Sequence, residues 1–319
     1  MTRLRLLTIE KAAALYCAFT LLLMIILYRR LSDPWAIITM RAEWAAMTAA
    51  LIGATFALRG RWVPQMTVVR TLAQMAWLIR WYPDTYEFNR SASNLDHLFA
   101  ATEQHLFGCQ PALLFSQTLP QPFWSEAFNL GYWSYYPMIA ALTLAALWRG
   151  WHGQGGIDLR PFQRVGTTIL ASFFLYYAIY IFLPVAGPQF YFQAVGLDAI
   201  SSGHFPALGT YFSSHTEMLP APGWSDGFFH QLVAQAQEAG ERPTAAFPSS
   251  HIGISTIVLL LSRRFAPRLT PFLLPFWALL CCATVYIQAH YAIDALAGLF
   301  SAPIILWIAN KAIGRNHYA

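Results

Sequence analysis

An all-α protein built into a membrane is what this sequence predicts, on three observations. Of its 319 residues 57% are hydrophobic and only 11% are charged, whereas a soluble domain carries about 25% charged residues. Apolar runs approaching the roughly 20 residues that a membrane helix needs recur along the chain. Charged or Pro/Gly-rich breaks separate these runs. The composition excludes a water-soluble globular domain and a disordered chain. The excess of Lys+Arg, 20 against 15 Asp+Glu, reads as a topology signal rather than as a surface for nucleic acid.

The expected fold is a polytopic helical bundle of about eight transmembrane helices. They lie near residues 8–28, 35–58, 62–82, 129–148, 165–185, 249–265, 271–289 and 291–311. The first resembles the apolar core of a signal peptide, but Tyr28, Arg29, Arg30 and Leu31 offer no small-residue cleavage site, so it reads as a retained span. The third is interrupted by Arg70 and Arg80. Basic residues lie in or nearest alternate connections: Arg3, Arg5 and Lys11, then Arg59, Arg61 and Arg70, then Arg149, Arg160 and Arg164, then Arg263, Arg264 and Arg268, then Lys311 and Arg315. By the positive-inside rule this places both termini in the cytoplasm.

That topology leaves two long segments outside, 83–128 and 186–248, and segments of that length usually carry function. Each is expected to contain a short amphipathic helix. Asn94 to Phe107 sets Leu95, Leu98, Phe99, Leu106 and Phe107 at helical spacing, with Gly108 as a stop. Asp226 to Gly240 sets Phe229, Leu232, Val233 and Ala236 on one side. Each helix either covers a site as a lid or packs on the bundle. The four cysteines, Cys17, Cys109, Cys281 and Cys282, show neither metal-ligand spacing nor a disulfide framework.

Two of the nine histidines stand apart. His251 ends Phe247-Pro248-Ser249-Ser250-His251, where a polar loop enters an apolar helix, and His290 opens His290-Tyr291-Ala292-Ile293-Asp294. One helix, a basic turn and a returning helix separate them, which brings both to the same membrane face. Ionisable groups at membrane depth are costly and default to function. Asp294 lies one turn beyond His290, so its carboxylate can meet one ring nitrogen, fix the tautomer and leave the other as a nucleophile. Ser249 and Ser250 precede a helix, where hydroxyls can cap and free amides can hold an anion. A phosphate held there would lie beside His251, which could protonate a leaving oxygen.

The pair FPSSH and HYAID resembles the second and third signature motifs of the type 2 phosphatidic acid phosphatase superfamily, over roughly Gly187 to Gly298. The resemblance implies a six-helix catalytic core, with N-terminal membrane helices over 1–82 and the catalytic domain over 83–319. It implies that His290 is the nucleophile that becomes phosphorylated, Asp294 its orienting partner and His251 the general acid. No metal or other cofactor is implied. Ala283 and Thr284 stand where the phosphatase branch has Ser-Arg. Together with Tyr286, His290-Tyr291 and Asp294, this is closer to the inositol phosphorylceramide synthase branch. The usual lysine followed by Arg-Pro is absent; Pro184 to Phe190 resembles a Gly-Pro-Arg segment of synthase-like relatives, with Gln189 in place of arginine. The segment around Asp96, Glu103 and Phe107-Gly108 is also similar to those relatives.

Arg242, the basic residue of the second outer segment, is the candidate charged phosphate ligand, because a phosphate dianion in a dry site needs positive charge or several donors. Gln189, Tyr286 and Tyr291 are candidate head-group contacts, with the two tyrosines equally readable as interface-belt residues. The expected partners are a membrane phospholipid or lipid phosphate and a lipid alcohol acceptor. Three functions stay open: transfer of a phospho-head group to a lipid alcohol, hydrolysis of a lipid phosphate or polyprenyl pyrophosphate, and an inactive lipid-binding scaffold. The expected location is a bacterial cytoplasmic membrane with the site on its outer face.

Overall fold

The structure, a computed structural model, describes residues 6–58, 60–152 and 156–314. Arg3, Arg5, Arg59 and Arg315 of the topology argument lie outside the described residues. Within them the chain is all-helical, with no strand. The helices are α1 (Thr8–Leu27), α2 (Pro34–Leu58), α3 (Val63–Ala76), α4 (Leu78–Asn89), α5 (Asp96–Phe107), α6 (Pro111–Thr118), α7 (Pro122–Trp133) and α8 (Tyr135–Trp151). They continue with α9 (Arg160–Phe182), α10 (Pro188–Val195), α11 (Leu197–Ser201), α12 (Phe228–Gly240), α13 (Ser250–Phe265), α14 (Thr270–Tyr286) and α15 (Ala292–Ile313). Proline opens many of them, at the first-turn positions where its missing N–H costs nothing.

Three helical segments among the described residues are long and apolar enough to cross a membrane: Thr8–Arg30, Arg160–Phe182 and Ala292–Ile313. The other expected spans are helical but shorter, broken or more polar. Residues 62–82 form two helices that meet at Trp77. The expected span at 129–148 is divided at Ser134 between α7 and α8, where Pro137 has no N–H for the carbonyl of Trp133.

At the centre lies α9, buried along most of its length and packed by α1, α3, α4, α8, α13 and α15. Glycines let neighbours approach. A Cβ on Gly253 of α13 would run into the Tyr176 hydroxyl of α9, and one on Gly298 of α15 would strike the Ser249 carbonyl. Two of the charges within the N-terminal apolar runs, Arg70 and Arg41, are paired in the interior, whereas Arg80 pairs with Glu43 at an exposed position. Arg70 of α3 meets Glu10 of α1 at 2.6 Å, Arg41 of α2 meets Asp84 of α4, and the Trp44 indole donates to Gln74 at 2.7 Å.

Both expected outer helices form, with a different face inward. On α5 the buried residues are Asp96, Ala100 and Glu103, while Leu98, Leu106 and Phe107 are exposed. Gly108 ends the helix in the left-handed conformation at φ 69°. On α12 the buried residues are His230, Val233 and Gln237 rather than Phe229, Leu232 and Ala236. Polar partners set these faces. The Glu126 carboxylate accepts the N–H groups of Phe229 and His230 at 3.0 Å, and the Gln237 amide donates to Gln189 at 3.0 Å.

Candidate active site

The start of α13 is held from below by Tyr180 of α9. Its hydroxyl donates to the Pro248 carbonyl and accepts the Ser250 N–H, both at 3.0 Å. Ser249 is fully buried as the N-cap, accepting from Ile252 N–H at 3.4 Å. This fixes the point at which His251 leaves the helix, with its ring between Tyr132 and Tyr135 at centroid distances of 4.7 and 4.6 Å.

His290 stands in the corner between α14 and α15. The Thr284 carbonyl accepts its backbone N–H at 3.0 Å, and Gln288 takes a positive φ of 64° to make the corner. Its Nδ1 lies 2.8 Å from the Ala246 carbonyl and its Nε2 lies 3.3 Å from His251 Nδ1. The 39-residue separation in sequence thus closes to a single contact. A carbonyl can only accept, so the Nδ1 atom carries the proton and the Nε2 lone pair faces His251. Burial pushes the His290 imidazole down to about 4, partly opposed by the Ala246 bond and the Glu241 carboxylate. The ring is therefore neutral at physiological pH.

Asp294 does not make the expected bond to the ring. Its Oδ2 lies 3.8 Å from His290 Nδ1 and instead accepts the Tyr291 N–H at 2.8 Å, closing the first turn of α15. The helix start takes the carboxylate, and the nearer Ala246 carbonyl takes the ring.

Two acids on α5 support this corner. Asp96 accepts from the N–H groups of Ala186 and Gly187 at 2.6 and 2.8 Å, from the Tyr291 hydroxyl at 3.0 Å and from the Asn94 amide at 2.5 Å. Glu103 accepts the Ile293 N–H at 3.0 Å. Sequence reasoning gave neither a role. The available signal was their seven-residue spacing, which puts both on one face with Ala100 between.

Burial, with the Asp294 carboxylate nearby, pushes Glu103 up to about 7 from 4.5. Its stabilising contribution is full below 4.5 and is lost as pH rises through about 7. Glu103→Gln cannot ionise. Relative to wild type it is expected to gain stability from acid to neutral pH, by up to about 3 kcal/mol. Thermal unfolding of both proteins across that range checks this; a difference that does not change with pH contradicts it.

Gly187 sits at φ 98°, and a Cβ there would lie 2.8 Å from the Ala289 carbonyl. Gly187→Ala is expected to cost about 1–3 kcal/mol through backbone strain and to displace the neighbour of His290. A lowered melting temperature together with lowered turnover is the expected result; wild-type values for both contradict it.

His251, His290, Ser250, Gln189, Tyr132 and Glu241 share one cavity. The other expected ligands lie elsewhere. The Arg242 guanidinium donates to the Glu241 carbonyl at 2.8 Å and does not line the cavity. Ser249 is spent on capping, the Tyr286 hydroxyl donates to the Leu119 carbonyl at 3.0 Å, and the Tyr291 hydroxyl is held by Asp96. Tyr132 and Glu241 were not expected from the sequence, because only the fold brings α7 and the end of α12 to the histidines.

Neither curated proteins nor solved structures gave a match on comparison. Residues 96–308 match the family described as the PAP2 superfamily, a stretch that includes both histidine motifs and the α5 acids beneath them. On that match, over more than half its length, the chain belongs to the PAP2 superfamily.

Proposed function

We propose that this protein is a membrane lipid phosphotransferase, similar to the inositol phosphorylceramide synthase branch, that works through a phosphorylated His290. The observation that carries the reading is the geometry of the His290 ring, bonded through Nδ1 to the Ala246 carbonyl and placing Nε2 at 3.3 Å from His251. In the first step Nε2 bonds to phosphorus, the P–O bond to the leaving group breaks, and His251, acting as the imidazolium, gives one of its two ring protons to the leaving oxygen and is left neutral. In the second step an acceptor hydroxyl attacks phosphorus, the N–P bond breaks, and the hydroxyl proton goes to His251. Asp294 acts as a positioning residue through the first turn of α15. The Ser250 hydroxyl and the Gln189 amide nitrogen, both without a protein hydrogen-bond acceptor among the described residues, supply donors to the phosphate.

A lipid alcohol is the preferred acceptor because no arginine or lysine is among the described residues lining the cavity, and a phosphate dianion is poorly held without one. The test is turnover of a panel of lipid phosphates and phospholipids by purified protein, with and without lipid alcohols. A new phospholipid that forms only with acceptor supports transfer. Inorganic phosphate released without acceptor supports hydrolysis, and turnover unchanged in His290→Ala supports neither.

The topology belongs to the same reading: about eight spans, residues 1–82 as N-terminal membrane helices, 83–319 as the catalytic domain, and the cavity on the outer face of a bacterial cytoplasmic membrane. In a cysteine-free background, a cysteine at Arg264 is expected to be shielded from an impermeant thiol reagent in intact cells, and one at Gly223 to react. The reverse pattern would place the chemistry in the cytoplasm.

A further inference from the structure

Glu241 caps the end of α12, and its carboxylate lies in the cavity with His251 and His290. Its Oε1 accepts the Tyr132 hydroxyl at 3.3 Å and its Oε2 the Tyr82 hydroxyl at 3.4 Å. No ion pair holds it among the described residues: Arg242, next in sequence, bonds the Glu241 backbone carbonyl instead. Burial pushes the Glu241 carboxyl above the usual carboxylate range, partly opposed by His290 and the two tyrosine hydroxyls, so the cavity that is to hold a phosphate has a carboxyl group that an entering cation would ionise and no described lysine or arginine in its lining.

This arrangement discriminates between phosphate esters. A monoester dianion would bring two negative charges into a cavity with no described lysine or arginine in its lining and a carboxyl group that could ionise only against it, which costs affinity. A phosphodiester carries one negative charge. If its head group also carries an ammonium, that cation can pair with Glu241 and lie against the rings of Tyr82 and Tyr132 while the phosphate meets Ser250, Gln189 and the histidines.

Resting on the reading of this cavity as the phosphoryl-transfer site, we infer that Glu241 with Tyr82 and Tyr132 forms a subsite for the ammonium of a zwitterionic phospholipid. The transferred unit is then the phosphorylated amine head group. His290 Nε2 bonds to phosphorus, the bond from phosphorus to the diacylglycerol oxygen breaks, and His251 protonates that oxygen. The amine stays on Glu241 while the acceptor hydroxyl displaces His290 and returns its proton to His251.

The test compares phosphatidylethanolamine, phosphatidylglycerol and phosphatidic acid of matched acyl chains in vesicles, with a fluorescent lipid alcohol as acceptor. Wild type is expected to turn over the ethanolamine lipid about tenfold or more faster than either other lipid, and Glu241→Gln to bring that ratio close to one. Equal rates in wild type, or a ratio unchanged in a folded Glu241→Gln, overturn the subsite. Should Glu241→Gln not fold, the wild-type ratio decides alone. A second arm needs no turnover: thermal stabilisation of the full chain by phosphoethanolamine against inorganic phosphate. If no lipid reacts in a His290-dependent way, the transferase reading fails. The subsite then stands on tighter binding of phosphoethanolamine and falls if the two ligands bind alike.

Discussion

Replacing His290 by alanine is expected to lower turnover by about 10⁴-fold or more, the scale on which loss of a covalent nucleophile registers. The ring supplies the one lone pair in the cavity that the hydrogen bonds themselves orient, because the Ala246 carbonyl claims the proton on Nδ1 at 2.8 Å. His251 cannot take over, since its Nδ1 faces Nε2 and its ring is wedged between Tyr132 and Tyr135. The structural cost is small by comparison. The Ala246 carbonyl loses one partner, worth about 1 kcal/mol, so the melting temperature in detergent is expected to stay within a few degrees of wild type. His251→Ala removes only proton transfer and is expected to cost about 10²–10⁴-fold. Equal and complete loss in both variants with collapse of the melting transition would mean that the histidines hold the fold instead.

The largest effect on stability is expected from Asp96→Ala. This carboxylate satisfies two backbone amides before α10, the Tyr291 phenol at the start of α15 and the Asn94 amide. All are buried or nearly so, and each donor left without an acceptor costs about 1–3 kcal/mol. A total loss of about 3–5 kcal/mol is expected, of the size seen when a buried charged group is removed from its partners. Asp96→Asn keeps one acceptor oxygen and is expected to fall between. Because Tyr291 follows His290 directly, turnover is expected to fall with stability. Thermal unfolding of the three proteins tests this; Asp96→Ala within about 1 kcal/mol of wild type would mean that the Pro184 to Gln189 segment is held by packing alone.

The meeting of His251 and His290 was legible in the sequence because helix periodicity and the count of intervening elements are local properties. What lies around them was not. The acceptor for His290 Nδ1 is a backbone carbonyl, which no residue type announces, and Glu241 and Tyr132 reach the cavity from α12 and α7 through tertiary packing. The inward face of α5 was misread for a physical reason. Periodicity arguments turn apolar residues inward as water would, whereas here Leu98, Leu106 and Phe107 face out and the inner face holds Asp96 and Glu103. Arg242 looked like a phosphate ligand by charge and position. A one-residue step in the loop gives its backbone neighbour Glu241 to the cavity in its place. The break at Ser134 was readable from Pro137, while the one at Trp77 has no comparable mark.

The most direct measurement is a rapid quench of the purified protein during turnover of a phosphorus-labelled phospholipid, with the labelled protein mapped by mass spectrometry. An acid-labile, base-stable adduct on His290, absent in His290→Ala and discharged by a lipid alcohol, is the predicted result. Turnover without any adduct, or label on another residue that persists in His290→Ala, would contradict the account.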